Sequence, residues 1–176
     1  TAKAEYVYIS DGTPAVLAPK FTFYGGRYVK VEGVENLAAA DFTPLPLSSD
    51  LETIGTLTTS HALVNRLIEN VRWSCRDNFI DVPTDCPQRD ERMGWTGDAQ
   101  VFAPTAGFML DTAPFYAKYL HDMAAEQTAR SGAVPNVVPA FGMQGCSSVW
   151  GDAATIIPWT VYEQTGDTAI LTAQYE

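Results

Sequence analysis

The stretch from Asp81 to Asp98 cannot be an ordinary amphipathic helix, and the rest of the chain must fold around that constraint. Its eighteen residues carry five carboxylates, two arginines, one tryptophan, two glycines and two prolines. Pro83 and Pro87 deny helical backbone to the residue before each and remove two amide donors. Gly94 and Gly97 then permit tight turns. The stretch is therefore predicted to be a rigid loop, and loops carrying such chemistry are where function concentrates. Carboxylates and a guanidinium can fork onto vicinal hydroxyls, an indole such as Trp95 can lie against a sugar face, and one carboxyl can be kept protonated. The pattern suits an acid set among sugar-binding groups.

The flanks set this loop between two kinds of chain. Residues 1–58 read as β. Residues 5–10 are rich in β-branched and aromatic types, and residues 21–24 and 27–32 alternate about Gly25-Gly26, which predicts a hairpin. Residues 44–47 and 53–58 read as extended chain. These strands are too few to close a sandwich or a barrel. From Ser60, a predicted N-cap, the pattern turns helical. Leu63, Leu67, Val71 and Cys75 form a stripe, Glu69 and Arg72 are spaced for an ion pair, and Pro83 forces the helix to end near Asn78. A second helix starts at residues 96–98 and contains Pro104. A third restarts at Asp111-Thr112-Ala113-Pro114 and buries Phe115, Tyr119, Leu120 and Met123 up to Ser131-Gly132. Residues 133–148 read as a long loop of a functional kind. A fourth helix is expected from Ser148 to Gly166 as its C′ residue, and a fifth after Asp167.

Composition excludes several classes. Hydrophobic residues make up 46% of the 176, enough for a core. Eleven basic against 21 acidic residues leave a net charge of −10, which argues against nucleic acid or an anionic membrane as partner. No apolar run reaches the roughly 20 residues of a membrane span. Cys75, Cys86 and Cys146 are odd in number and lack CxxC spacing, so neither a disulfide framework nor a zinc knuckle is expected. The chain starts at Thr1 in strand-like sequence and stops at Glu176 within a helical pattern, so it reads as an internal piece of a longer protein.

The run from Asp81 to Gln100 resembles the signature of the bacterial α-L-rhamnosidases, inverting glycoside hydrolases built on an (α/α)6 barrel. Residues 21–29 and Trp150-Gly151-Asp152-Ala153 look similar too, so the resemblance covers nearly the whole chain. It implies a mainly α fold with an N-terminal β portion. The last strands of a β-sandwich would occupy residues 1–58, and the first helices of an incomplete six-hairpin barrel residues 59–176. Within Arg89-Asp90-Glu91-Arg92 it implies Glu91 as general acid, with Asp85, Arg89 and Asp98 as binders of sugar hydroxyls and Trp95 lining the pocket. Trp150 and Asp152 resemble a further segment that lines the sugar site. No organic cofactor and no metal are implied, and the substrate would be a rhamnose-containing glycoside or polysaccharide. A second carboxyl must act as base on the opposite sugar face, roughly 6.5–9.5 Å away. In the family it lies much further along the chain. Glu126 and Glu163 read as solvated helix residues, so the chain alone is expected to be inactive.

Each residue has a plainer role to weigh against this. Glu91 would pair with Arg89 or Arg92, Asp85 would make an Asx-turn, Asp98 would cap a helix, Arg89 would staple the loop, and Trp95 and Trp150 would be core. For Glu91 to be protonated its pKa must rise, which repulsion by Asp85 or Asp98 would do and burial against Trp95 would add to, while a nearby arginine would work against it. Asp81 and Asp90 read as structural or as supports behind the site residues, and His61 and His121 lie away from the loop. Competing functions are a barrel glycosidase for another sugar, a non-catalytic carbohydrate-binding module, and a calcium site. The last lacks the acidic rhythm of an EF-hand.

Overall fold

A computed structural model describes residues 4–142 and 145–175. It is helical from residue 62 onward: α1 (Ala62–Asn78), α2 (Thr96–Met109), α3 (Ala113–Ala129), α4 (Ala153–Thr165) and α5 (Ala169–Ala173), with the strands β1 (Phe79–Ile80) and β2 (Val82–Pro83) between α1 and α2. Helix α4 packs on both α2 and α3, and α5 folds back on α4. Gln164 of α4 donates to the carbonyl of Pro104 in α2. Gly107 makes room for it, since a Cβ there would stand 1.9 Å from the Gln164 Oε1.

The core lies between α2, α3 and α4. Phe115, Tyr119, Leu120 and Met123 are all buried, as the α3 stripe predicts, and Ile157 and Val161 meet them from α4. Phe79 joins this core where α1 ends and stacks on Phe115 with centroids 4.4 Å apart. The hairpin β1–β2 turns at Asp81, whose backbone is left-handed (φ 66°). Asp81 is pinned by the Lys118 ammonium of α3 at 2.9 Å, a structural role as expected.

Helix α1 ends at Asn78 and its Glu69–Arg72 pair forms at 3.5 Å. Its start differs from expectation, because Ser60 does not cap it. The N-cap residue is His61, without a side-chain cap, and the entry is tied down differently: the Thr59 N–H donates to Asn65 Oδ1 and the Asn65 amide donates to the Thr59 carbonyl. The α1 stripe is covered only at its C-terminal end. Cys75 is buried, while Leu63 and Leu67 are 75% and 60% exposed.

Two further expectations are corrected. Helix α4 begins at Ala153, not Ser148, because Val149 sits at φ 77°, a conformation no helix contains. Its end is as read, with Gly166 left-handed and its N–H on the Tyr162 carbonyl. The hairpin over residues 21–32 does not form. Gly25 and Gly26 lack the positive φ that a two-residue hairpin turn requires, and the segment has no strand partner among the described residues. Residues 52–55 instead bond along the end of α2: Ile54 and Gly55 donate to the Met109 carbonyl, and Asp111 donates to that of Glu52.

Candidate active site

Between β2 and α2 the loop 84–95 is closed on itself. The Asp85 N–H donates to the Met93 carbonyl, and the Met93 N–H returns a bond to Asp85 Oδ1, each at 3.1 Å. Asp85 is thus a loop buckle rather than the centre of an Asx-turn. Its other oxygen accepts from the Cys86 thiol at 3.0 Å and faces Arg89 at 3.5 Å. Burial pushes the Cys86 thiol up, so at neutral pH it keeps the proton it donates.

Glu91 completes the cluster. Its Oε1 accepts from the Trp95 indole N–H at 3.0 Å, and its Oε2 meets Arg89 at 2.7 Å and lies 4.0 Å from the Cys86 sulfur. Four of the expected site residues, Asp85, Arg89, Glu91 and Trp95, therefore share one network. The contact nearest Glu91 is a cation, however, and not the anionic neighbours alone that were expected. The plain ion pair with Arg89 is present, and the one with Arg92 is not.

Asp98 stands in the first turn of α2, whose N-cap residue is Trp95, so it is not the cap. Partial burial of its carboxyl, then the charges of Asp85 and Glu91, raise its pKa, although the residue as a whole stays exposed. Asp85 and Asp98 line a cleft of about 160 Å³ walled by Asn78, Phe79, Thr84 and Phe102. Glu91 is not among the lining residues. A larger apolar groove of about 460 Å³ lies between α1 and α2, lined by Leu67, Val71 and Phe108. It carries no carboxylate, so the smaller cleft is the better place for polar chemistry.

Trp150 meets the first turn of α2 and does not line the cleft. Its indole packs on Gly97, where a Cβ would stand 3.0 Å from the ring, and its Nε1 is buried without a hydrogen-bond partner among the described residues. Asp152 lies exposed at the start of α4, and no contact joins its carboxylate to the loop among the described residues.

The loop's exit is clamped by residues 136–138. Thr96 donates to the Asn136 carbonyl, and Trp95 bridges Val137. The Gly94 carbonyl accepts both the Val138 N–H at 2.9 Å and the buried Tyr119 hydroxyl at 2.8 Å. The functional reading of the 133–148 loop pointed at this segment, whereas nothing in local spacing pointed at Tyr119 or Cys86. Glu126 is also corrected. It is no solvated residue: it accepts from the Ala140 N–H at 2.8 Å and pairs with Arg130 at 3.2 Å.

Asp85, Cys86 and Glu91 bring one donor atom each within 4.8 Å of one another. Two carboxylates and a protonated thiol fall short of the six to eight oxygens calcium takes, and Arg89 already supplies a positive charge there. The arrangement can orient a carboxyl, hold hydroxyl groups and share a cation between two acids.

Residues 52–176 match the bacterial alpha-L-rhamnosidase 6 hairpin glycosidase domain, and residues 1–48 match the bacterial alpha-L-rhamnosidase concanavalin-like domain. An alpha-L-rhamnosidase of Formosa agariphila is 44% identical over 97% of this chain, and one of Alteromonas sp. is 41% identical over 92%. The chain spans only 19% and 18% of their respective lengths. Among solved structures, Streptomyces avermitilis alpha-L-rhamnosidase complexed with L-rhamnose is 41% identical, with a TM-score of 0.70 over 72% of this chain and 12% of that one. The native Aspergillus terreus enzyme is 46% identical, with a TM-score of 0.70 over 73% of this chain and 15% of that one.

Proposed function

Because the chain belongs to the bacterial α-L-rhamnosidase family, we propose that it supplies the acid half of an inverting glycosidase. That enzyme removes terminal, non-reducing α-L-rhamnose from a glycoside or polysaccharide. Glu91 is the general acid, Asp85, Arg89 and Asp98 bind sugar hydroxyls, and Trp95 and Trp150 wall the sugar. Asp152 joins them only if substrate draws it in. The base comes from outside residues 1–176, and the division between the β and helical portions falls at residues 58–59. The observation that supports this reading is the network of Asp85, Arg89, Glu91 and Trp95 beside a carboxylate-lined cleft.

The chemistry follows from the two oxygens of Glu91. Trp95 fixes Oε1, so Oε2 is the oxygen free to carry a proton once Arg89 moves. Arg89 has somewhere to go, because it stands 3.5 Å from Asp85. A sugar that draws the guanidinium toward Asp85 leaves Oε2 to take a proton and hand it to the departing glycosidic oxygen. Water attacks from the opposite face with the base's help, and the anomeric configuration inverts.

Glu91→Gln in the full-length protein tests this. Turnover of a rhamnoside with a poor leaving group is expected to fall by about 100- to 10,000-fold. Calorimetric binding of L-rhamnose should persist. Unchanged turnover would remove Glu91 from the acid role, and sugar binding by a wild type with no turnover would favour a binding module.

A further inference from the structure

Arg92 follows Glu91 directly, yet its side chain points away from the network described above and toward the N-terminal segment. Its backbone is left-handed, at φ 52°, which a residue with a side chain keeps only where its surroundings hold it. Its Nε is buried without a hydrogen-bond partner among the described residues. What the guanidinium does have is Phe23, with its central carbon 4.1 Å from the ring centroid. Two residues later Gly25 presses on the same loop, so closely that a Cβ would stand 3.0 Å from the Gln88 Cα. The N-terminal segment thus touches the acidic loop at Gln88 and at Arg92, on either side of Glu91. The Arg92 N–H also lies against the Cys86 sulfur, which in turn donates to Asp85.

We propose that Phe23 is a positioning residue for Glu91: its ring holds Arg92 in the left-handed turn that aims the neighbouring carboxyl at Trp95. A guanidinium over an aromatic face is attracted by the ring's quadrupole, and desolvation strengthens the contact. Gly25 is the counterpart, since a Cβ there would press on Gln88 and push the segment off the loop. A region outside the helical portion would then control the aim of the acid. The inference rests on Glu91 being that acid.

The test uses the full-length enzyme. Phe23→Leu keeps apolar bulk and loses the ring face, while Phe23→Trp keeps a face. Phe23→Leu is expected to lower kcat roughly tenfold with KM little changed, because a displaced acid costs rate rather than ground-state binding. Phe23→Trp should retain most of kcat, and Gly25→Ala should behave like Phe23→Leu. A cycle with Arg92→Met guards against a general loss of fold, since the two losses should not multiply if Phe23 acts through Arg92. Wild-type kcat in Phe23→Leu, equal loss in Phe23→Trp, or fully multiplicative losses would overturn the inference. If Glu91→Gln stays active, the acid assignment has failed. If Glu91→Gln is inactive and Phe23→Leu matches wild type, only the role of Phe23 has.

Discussion

At the scale of single residues, each oxygen of Glu91 has its own donor, and the two donors differ in kind. Trp95 gives a fixed N–H, and Arg89 a charge that can be shared with Asp85. Trp95→Phe keeps an aromatic wall and removes the N–H, so in the full-length enzyme kcat should fall roughly tenfold with a smaller change in KM. Asp98 bears on pH. Its folded pKa is raised, so its ionisation costs stability, and the cost appears as pH rises from the ordinary carboxylate value through the raised one. Asp98→Asn should therefore raise the melting temperature at neutral pH, with the gain vanishing in acid below the ordinary carboxylate range. The network's members were legible because a run of eleven residues, from Asp85 to Trp95, brings them together. The Phe23–Arg92 contact was not, because no spacing rule links residues so far apart in sequence. The Arg89 contact to Glu91 was foreseen only as the plainer alternative.

At the scale of elements, the prolines and the break at Asp111-Thr112 predicted the extents of α2 and α3 closely, and the α3 stripe is buried, although neither N-cap residue makes a side-chain bond. Such signals failed at α4, where the left-handed Val149 delays the helix, and at the N-terminal hairpin, where glycines suggested a turn that backbone angles do not make. Loop and helix meet at Gly94. A Cβ there would stand 2.2 Å from the Val138 carbonyl oxygen and 3.3 Å from the Tyr119 ring. Gly94→Ala must push the clamp at residues 136–138 off the loop. It should cost about 1–3 kcal/mol in denaturant unfolding, as overpacking of a filled site does.

Across the whole molecule, the apolar surface is unevenly covered. Leu63, Leu67, Val101 and Phe108 are 60–76% exposed, and Leu67 and Phe108 line the groove between α1 and α2. A patch of that kind seeks a partner. Residues 1–176 expressed alone should elute at a size that grows with concentration, bind a hydrophobic dye, and turn over no aryl rhamnoside. Turnover would show that the chain contains its own base. The pair of hydrogen bonds between Asp85 and Met93 has a consequence at this scale as well. It makes the acidic loop a closed hoop, braced from outside at Gln88 and Arg92. If Phe23 acts as proposed, loosening that brace shifts the hoop without opening it, and Phe23→Leu should lose rate while the circular-dichroism signal of every helix is kept.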